Sequence, residues 1–173
     1  MRMREDAIAS ADYEIAVAAP DDIAGILDLQ EQNLPERGGA LSVRFPFPWF
    51  EAAVADTRVI VARRARRVVG YVTWSPISMM AHVPIVQAML RAYPGAPDAY
   101  LYGPICVAQS ERGRGLATKL FTALRARLPG REGISFIRRD NASSRQAHAK
   151  MGLREVAEYD YDGIPLVVAA YIG

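Results

Sequence analysis

Cysteine occurs once in these 173 residues and histidine twice, so an internal disulfide is excluded and metal-binding side chains at zinc spacing are missing. No run of 18 apolar residues is free of charge, and no apolar core follows the charged start Met1-Arg2-Met3-Arg4-Glu5-Asp6; neither a membrane span nor a secretory signal is expected, and the cytoplasm is the default compartment. A large excess of one charge is also lacking, since 21 basic residues face 19 acidic ones. A nucleic-acid or membrane-surface role would therefore need a concentrated patch. With 51% apolar and 23% charged residues the chain is rich enough in core formers to fold, and its length suits a single domain over 1–173, with 1–11 expected to be a flexible N-terminal segment.

Alternation marks Tyr13–Val17 as a strand, and Pro20-Asp21-Asp22 opens a helix running to Gln32. Five prolines and glycines between Asn33 and Pro48 make a loop, which also carries Phe45 and Phe47; a short helix from Pro48 to Ala55 follows. Val59–Ala62 and Val68–Trp74 flank Arg63-Arg64-Ala65-Arg66-Arg67 as a hairpin with a charged tip, either a solvated turn or a nucleic-acid contact. Ser75–Asp98 is irregular, with a helix near Ile85–Arg91 whose apolar side is expected to be Ile85, Met89 and Tyr93. Ala99–Val107 reads as a buried strand that Gly103-Pro104 breaks or splays.

A turn over Ala108–Gly113 leads into a helix from Arg114 to Leu128 with the stripe Leu116, Leu120, Phe121, Leu124 and Leu128. Ile134–Ile137 is a strand and Ala142–Met151 a short helix ended by Gly152. Glu155–Tyr161 and Ile164–Tyr171 then pair across Asp162-Gly163. The order describes one α/β domain with a mixed central sheet.

Chemistry concentrates where the broken strand passes through Glu111-Arg112-Gly113-Arg114-Gly115-Leu116-Ala117 into a helix. Glycines let the backbone turn tightly, and the unpaired amides of a first helical turn favour phosphate or pyrophosphate. A glycine-rich turn can also be purely steric, and this one lacks the Lys-Ser/Thr ending of a P-loop.

The segment Leu101–Val107 followed by Arg112–Ala117 resembles the GCN5-related N-acetyltransferase (GNAT) family. The family's motif Gln/Arg-x-x-Gly-x-Gly/Ala is met by Arg112, Gly115 and Ala117, and Asn141 to Gly152-Leu153 is similar to its Asn-led segment. The resemblance implies a mostly antiparallel α/β sheet flanked by helices, with a splayed strand before the acyl-CoA-binding turn. It further implies an N-acetyltransferase that uses acetyl-CoA or another acyl-CoA as cosubstrate and no metal. Transfer would run by direct attack of a primary amine, of a small molecule or peptide, in a ternary complex.

By the same resemblance, backbone amides of Arg112, Gly113, Arg114, Gly115, Leu116, Ala117 and Thr118 would hold the pyrophosphate. Arg112 and Arg114 would add countercharge, while Ile105, Cys106 and Val107 would pair with the pantetheine arm. Asn141 and Ser144 would flank its thiol end, although Asn141 also reads as a plain helix cap. Many members carry a tyrosine seven residues after the asparagine as proton donor to the thiolate. Here His148 stands in that place, able to serve as imidazolium or through a hydrogen bond.

A base for the acceptor amine stays open among Tyr102, His82, Glu111, Tyr159 and Tyr161. An amide of Ile105–Ala108 is expected to stabilise negative charge on the thioester oxygen. Cys106 reads as a buried structural thiol. Phe45, Phe47, Trp49, Met79, Met80 and Tyr93 are expected to form an apolar acceptor pocket, and the scarcity of acids nearby disfavours a polycationic acceptor. The alternative is a non-catalytic acyl-CoA sensor. No nucleic-acid or membrane partner is expected, and monomer and homodimer stay open.

Overall fold

A computed structural model describes residues 13–173, so the segment 1–11 lies outside the described residues. Seven strands form one sheet in the order β1 (Glu14–Val17), β2 (Val59–Arg64), β3 (Arg67–Pro76), β4 (Tyr100–Val107), β5 (Glu132–Arg138), β7 (Ile164–Ile172), β6 (Arg154–Tyr161). All neighbours are antiparallel except β4 and β5. This is the mixed sheet that the residue order implies, mostly antiparallel as the resemblance implies.

Helices cover both faces. α1 (Ile23–Gln32) and α2 (Phe47–Ala55) pack through Ile26, Leu29, Phe50 and Ala53 against Val61, Tyr71 and Cys106. A four-residue helix, α3 (Ile77–Met80), precedes α4 (Pro84–Ala92), which covers Leu101, Ile134 and Val168 on the same face farther along the sheet. The buried side of α4 is Val86 and Met89 rather than Ile85, Met89 and Tyr93. The helix ends at Ala92, and Tyr93 is extended (φ −148°, ψ 100°), so it leaves the helical face. Its hydroxyl instead donates to Glu132 Oε1 at 2.6 Å.

On the opposite face α5 (Leu116–Arg127) lays Leu116, Leu120, Phe121 and Leu124 over Val72, Tyr102 and Tyr171, the stripe read from its spacing. α6 (Ala142–Lys150) lies on this side too, its C-terminal Met151 and Leu153 joining the same core. α5 begins two residues later than its apolar pattern suggests because Gly115 sits at φ +74°, outside the helical region.

The Arg63–Arg67 segment is more strand than tip. Only Ala65 and Arg66 form the turn, at φ +48° and +65°, the two-residue geometry that matches strand twist. Arg63 donates to Asp22 and Glu14, and Arg64 to Glu111, so both guanidiniums are engaged by carboxylates of the same chain.

A backbone close approach constrains β5. A Cβ on Gly133 would lie 2.4 Å from the ring of Tyr171, which is buried and hydrogen-bonded to Tyr100. Gly133→Ala is therefore expected to lower stability by about 1–3 kcal/mol through overpacking, read as a shift of the urea midpoint at constant m.

Candidate active site

β4 and β5 pair in register only at Tyr100–Gly133 and Leu101–Ile134. Beyond that point Gly103-Pro104, whose peptide bond is cis, interrupts the pleat, and Tyr102 and Ile105 face the same side. Ile105, Cys106 and Val107 keep their partners on β3, namely Val72, Tyr71 and Gly70. Their other edge opens toward β5 without a ladder, as the Gly-Pro pair leads one to expect. Because Ala108 N bonds Val69 O, the alternation of the ladder turns the backbone groups of Cys106 to β3 and those of Ile105 and Val107 to the open edge. The Cys106 side chain points away into the α1–α2 core, where its thiol lies 3.8 Å from the Leu29 carbonyl and burial pushes its pKa up to about 12. It is an inert structural thiol.

The end of the open edge meets the start of α5. Gly113 and Gly115 both adopt φ +74°, and a Cβ on either would meet nothing within 4 Å, so glycine is required by conformation rather than space. The first-turn amides of Leu116, Ala117 and Thr118 have no carbonyl one turn back to bond. Together with the turn before them they leave a group of unpaired donors beside the end of the open edge. Arg112 is folded back, with Nε donating to Val107 O at 3.4 Å and Nη2 to Asn33 Oδ1. Arg114 is half exposed and 3.7 Å from Glu111.

Glu111 was open as a base and proves to be a structural node. Its carboxylate accepts from the Tyr13 hydroxyl at 2.6 Å and from Arg64 at 2.9 Å. The Tyr13 hydrogen bond, with Arg64 and Arg114 behind it, holds its pKa below the usual carboxylate value. It ties β1, the β2–β3 hairpin and the turn before α5 together.

A cavity of about 250 Å³ fills the gap between β4 and β5. From the α5–α6 face it is lined by Tyr102, Ile105, Ile137, Asn141, Ser144 and His148. From the α2–α4 face it is lined by Leu41, Ser42, Val43, Phe45, Ser75, Met80, Val86 and Leu101. The gap thus opens the sheet to both sides.

This corrects the acceptor pocket read from aromatic content. Phe45 and Met80 line the cavity, whereas Phe47 and Met79 are exposed, Trp49 stacks on Phe45 at 3.8 Å, and Tyr93 is held by Glu132.

Asn141 caps α6, its Oδ1 accepting the Ser144 amide at 3.1 Å, and it also lines the cavity. His148 is 6% exposed, and its Nδ1 lies 2.7 Å from the Ser144 carbonyl. A carbonyl only accepts, so Nδ1 carries the proton and Nε2 presents a lone pair. Nε2 is buried with no partner. Burial lowers the imidazole pKa, opposed by the Ser144 carbonyl, so the neutral ring prevails near pH 7. Of the two states open to His148, this geometry favours the neutral ring, with Nε2 free to accept.

Tyr102 packs edge-on to His148 with ring centroids 5.5 Å apart, and its buried hydroxyl likewise has no partner. Burial raises its pKa far above the ordinary phenol value, so the hydroxyl keeps its proton. Of the other candidates, His82, Tyr159 and Tyr161 do not line the cavity. The Ala108 amide is taken by Val69 O at 2.9 Å, so any charge stabilisation falls to Ile105 and Val107. Among the described residues no three His, Cys, Asp or Glu cluster as metal ligands, and no helix is long and apolar enough to cross a membrane.

A profile of the acetyltransferase (GNAT) family matches residues 23–153. Among solved structures, a GNAT-family acetyltransferase from Streptococcus agalactiae superposes with TM-score 0.72 at 17% identity, covering 93% of this chain and 95% of its own. The yncA protein of Salmonella typhimurium, solved with acetyl-CoA, gives TM-score 0.67 at 19% identity over 92% and 93% of the two chains. The ribosomal-protein-alanine N-acetyltransferase of Brucella melitensis gives 0.67 at 22% over 92% and 99%. No curated protein matches the sequence.

Proposed function

Since the chain belongs to the GNAT acetyltransferase family, we propose that it is a single-domain enzyme moving an acetyl group from acetyl-CoA to a primary amine by direct attack in a ternary complex. The observation that carries this reading is the β4–β5 gap, which joins the unpaired amides at the start of α5 on one side to an apolar cavity on the other. The thioester supplies an activated acyl group when bound. The turn from Arg112 to Thr118 would hold the pyrophosphate with its backbone amides. The free edge of Ile105–Val107 would align the pantetheine arm as an added strand, with Asn141 and Ser144 at its thiol end.

His148 Nε2 takes the proton that the amine loses as its nitrogen bonds to carbon, and the imidazolium so formed returns it to the departing sulfur, which leaves as the thiol. The backbone N–H groups of Ile105 and Val107 would face the developing negative charge. The aliphatic walls exclude water, which keeps hydrolysis low.

The acceptor is a small molecule or a peptide. Release of free thiol from acetyl-CoA, followed with a chromogenic disulfide across a panel of primary amines, tests the reading. Thiol release dependent on an amine is the expected result. Tight acetyl-CoA binding with no release from any amine would favour the non-catalytic sensor instead.

A further inference from the structure

One polar device in the cavity wall is unused by the proton transfers. Ser75 lies opposite Leu101 in the β3–β4 register and shares its side of the sheet, the face covered by α2 and α4. It lines the cavity. Directly behind it Arg58, only 4% exposed, donates from Nη1 to Ser75 Oγ at 3.3 Å. The same guanidinium lies over the Trp49 ring at 5.4 Å, and its carboxylate contact is a 3.3 Å approach to Asp56, whose side chain is more than half exposed.

A guanidinium withdrawn from water calls for close negative charge, and a solvated aspartate at that distance compensates it weakly. Because Ser75 Oγ accepts from the cation, its own O–H is free to donate, and the cavity lies open beside it. Leu41, Val43, Phe45, Met80 and Val86 give the cavity an apolar wall, its further polar lining includes Ser42, Ser135 and an Arg138 paired with Asp140, and among the described residues no Asp or Glu lines it.

We propose that the acceptor is a small amino acid with an apolar side chain, whose carboxylate is bound by the Ser75 hydroxyl with the Arg58 charge behind it. This rests on the acetyl-transfer reading above. The reaction balances simply: the amine nitrogen forms the amide bond, the carbon–sulfur bond breaks, sulfur leaves as the thiol with one proton, and the carboxylate is unchanged. A polyamine would bury a second ammonium against a wall that offers it no carboxylate. The decarboxylated amine would leave the Ser75–Arg58 pair without its partner.

The test measures thiol release from acetyl-CoA with four probes: leucine, 3-methylbutylamine, leucinamide and spermidine. Wild type is compared with Ser75→Ala and Arg58→Lys, after titration of each with acetyl-CoA. Wild type should favour leucine over 3-methylbutylamine by about tenfold or more in kcat/KM, the worth of one charge-assisted hydrogen bond. Ser75→Ala should collapse that ratio toward one, chiefly through the KM of leucine, and Arg58→Lys, which keeps the charge, should retain part of it. A melting curve checks each fold, and Ser75→Ala decides the matter alone if Arg58→Lys unfolds.

Equal rates for leucine and its decarboxylated amine overturn the proposal, as does a ratio that Ser75→Ala leaves in place. Preference for leucinamide points instead to a peptide N-terminus, and preference for spermidine to a polyamine; either result overturns it. Acetyl-CoA binding with no reaction of leucine also overturns it. Absence of acetyl-CoA binding strikes the underlying reading.

Discussion

Gly115→Glu is expected to weaken acetyl-CoA binding by at least about 100-fold, measured by isothermal titration. Two effects combine. A side chain at φ +74° costs about 1–2 kcal/mol of backbone strain, which drives the start of α5 away from its present conformation. A carboxylate there also stands beside the amides of Leu116, Ala117 and Thr118, where it repels a pyrophosphate and competes for the same donors. Gly115→Ala separates the two, since its methyl group meets nothing within 4 Å and carries strain alone. Its loss of affinity should be far smaller. Unchanged affinity in a folded Gly115→Glu protein would remove the turn from the cofactor site.

His148→Ala should lower kcat by about 10²–10⁴-fold while moving acetyl-CoA affinity little. The pH profile gives the sharper signature. His148 works as the neutral ring, and burial lowers its pKa below the ordinary imidazole value. Activity therefore rises with pH through that lowered value, whereas an imidazolium donor would lose activity over the same interval. The acid limb should vanish in His148→Ala. A variant that matches wild type in both rate and affinity would make the residue architectural.

Much of this fold was legible in the residue pattern because strands, helices and the tight turns report themselves within a few residues. The α5 stripe, the Asp162-Gly163 hairpin and the break at Gly103-Pro104 all stand where periodicity and turn chemistry put them. The family motif placed Arg112, Gly115 and Asn141 on the right elements for the same reason. What stayed hidden depends on residues far apart in the chain. Glu111 was indistinguishable from a polar turn residue until Tyr13 and Arg64 closed on it, 98 and 47 positions away. Likewise Phe47 and Met79 looked like pocket residues by type, and only the packing of α2 and α3 turns them outward.

Arg58 and Ser75 carried no signal at all, because an arginine at the start of one strand and a serine near the end of the next acquire meaning only through the hairpin register. The proton assignment of His148 was equally unreadable. It follows from the Ser144 carbonyl one helical turn earlier, which selects the tautomer.

Two register pairs are all that join β1–β4 to β5, β7 and β6 across the sheet. Mechanically this makes the domain two leaves sharing a short spine, with α5 and α6 as the binding on one side. Each leaf keeps its own full ladder, so few backbone hydrogen bonds join them, and what holds the leaves together is the side-chain packing under α4 and α5. A cosubstrate seated between the leaves would stitch them further and raise the midpoint of unfolding.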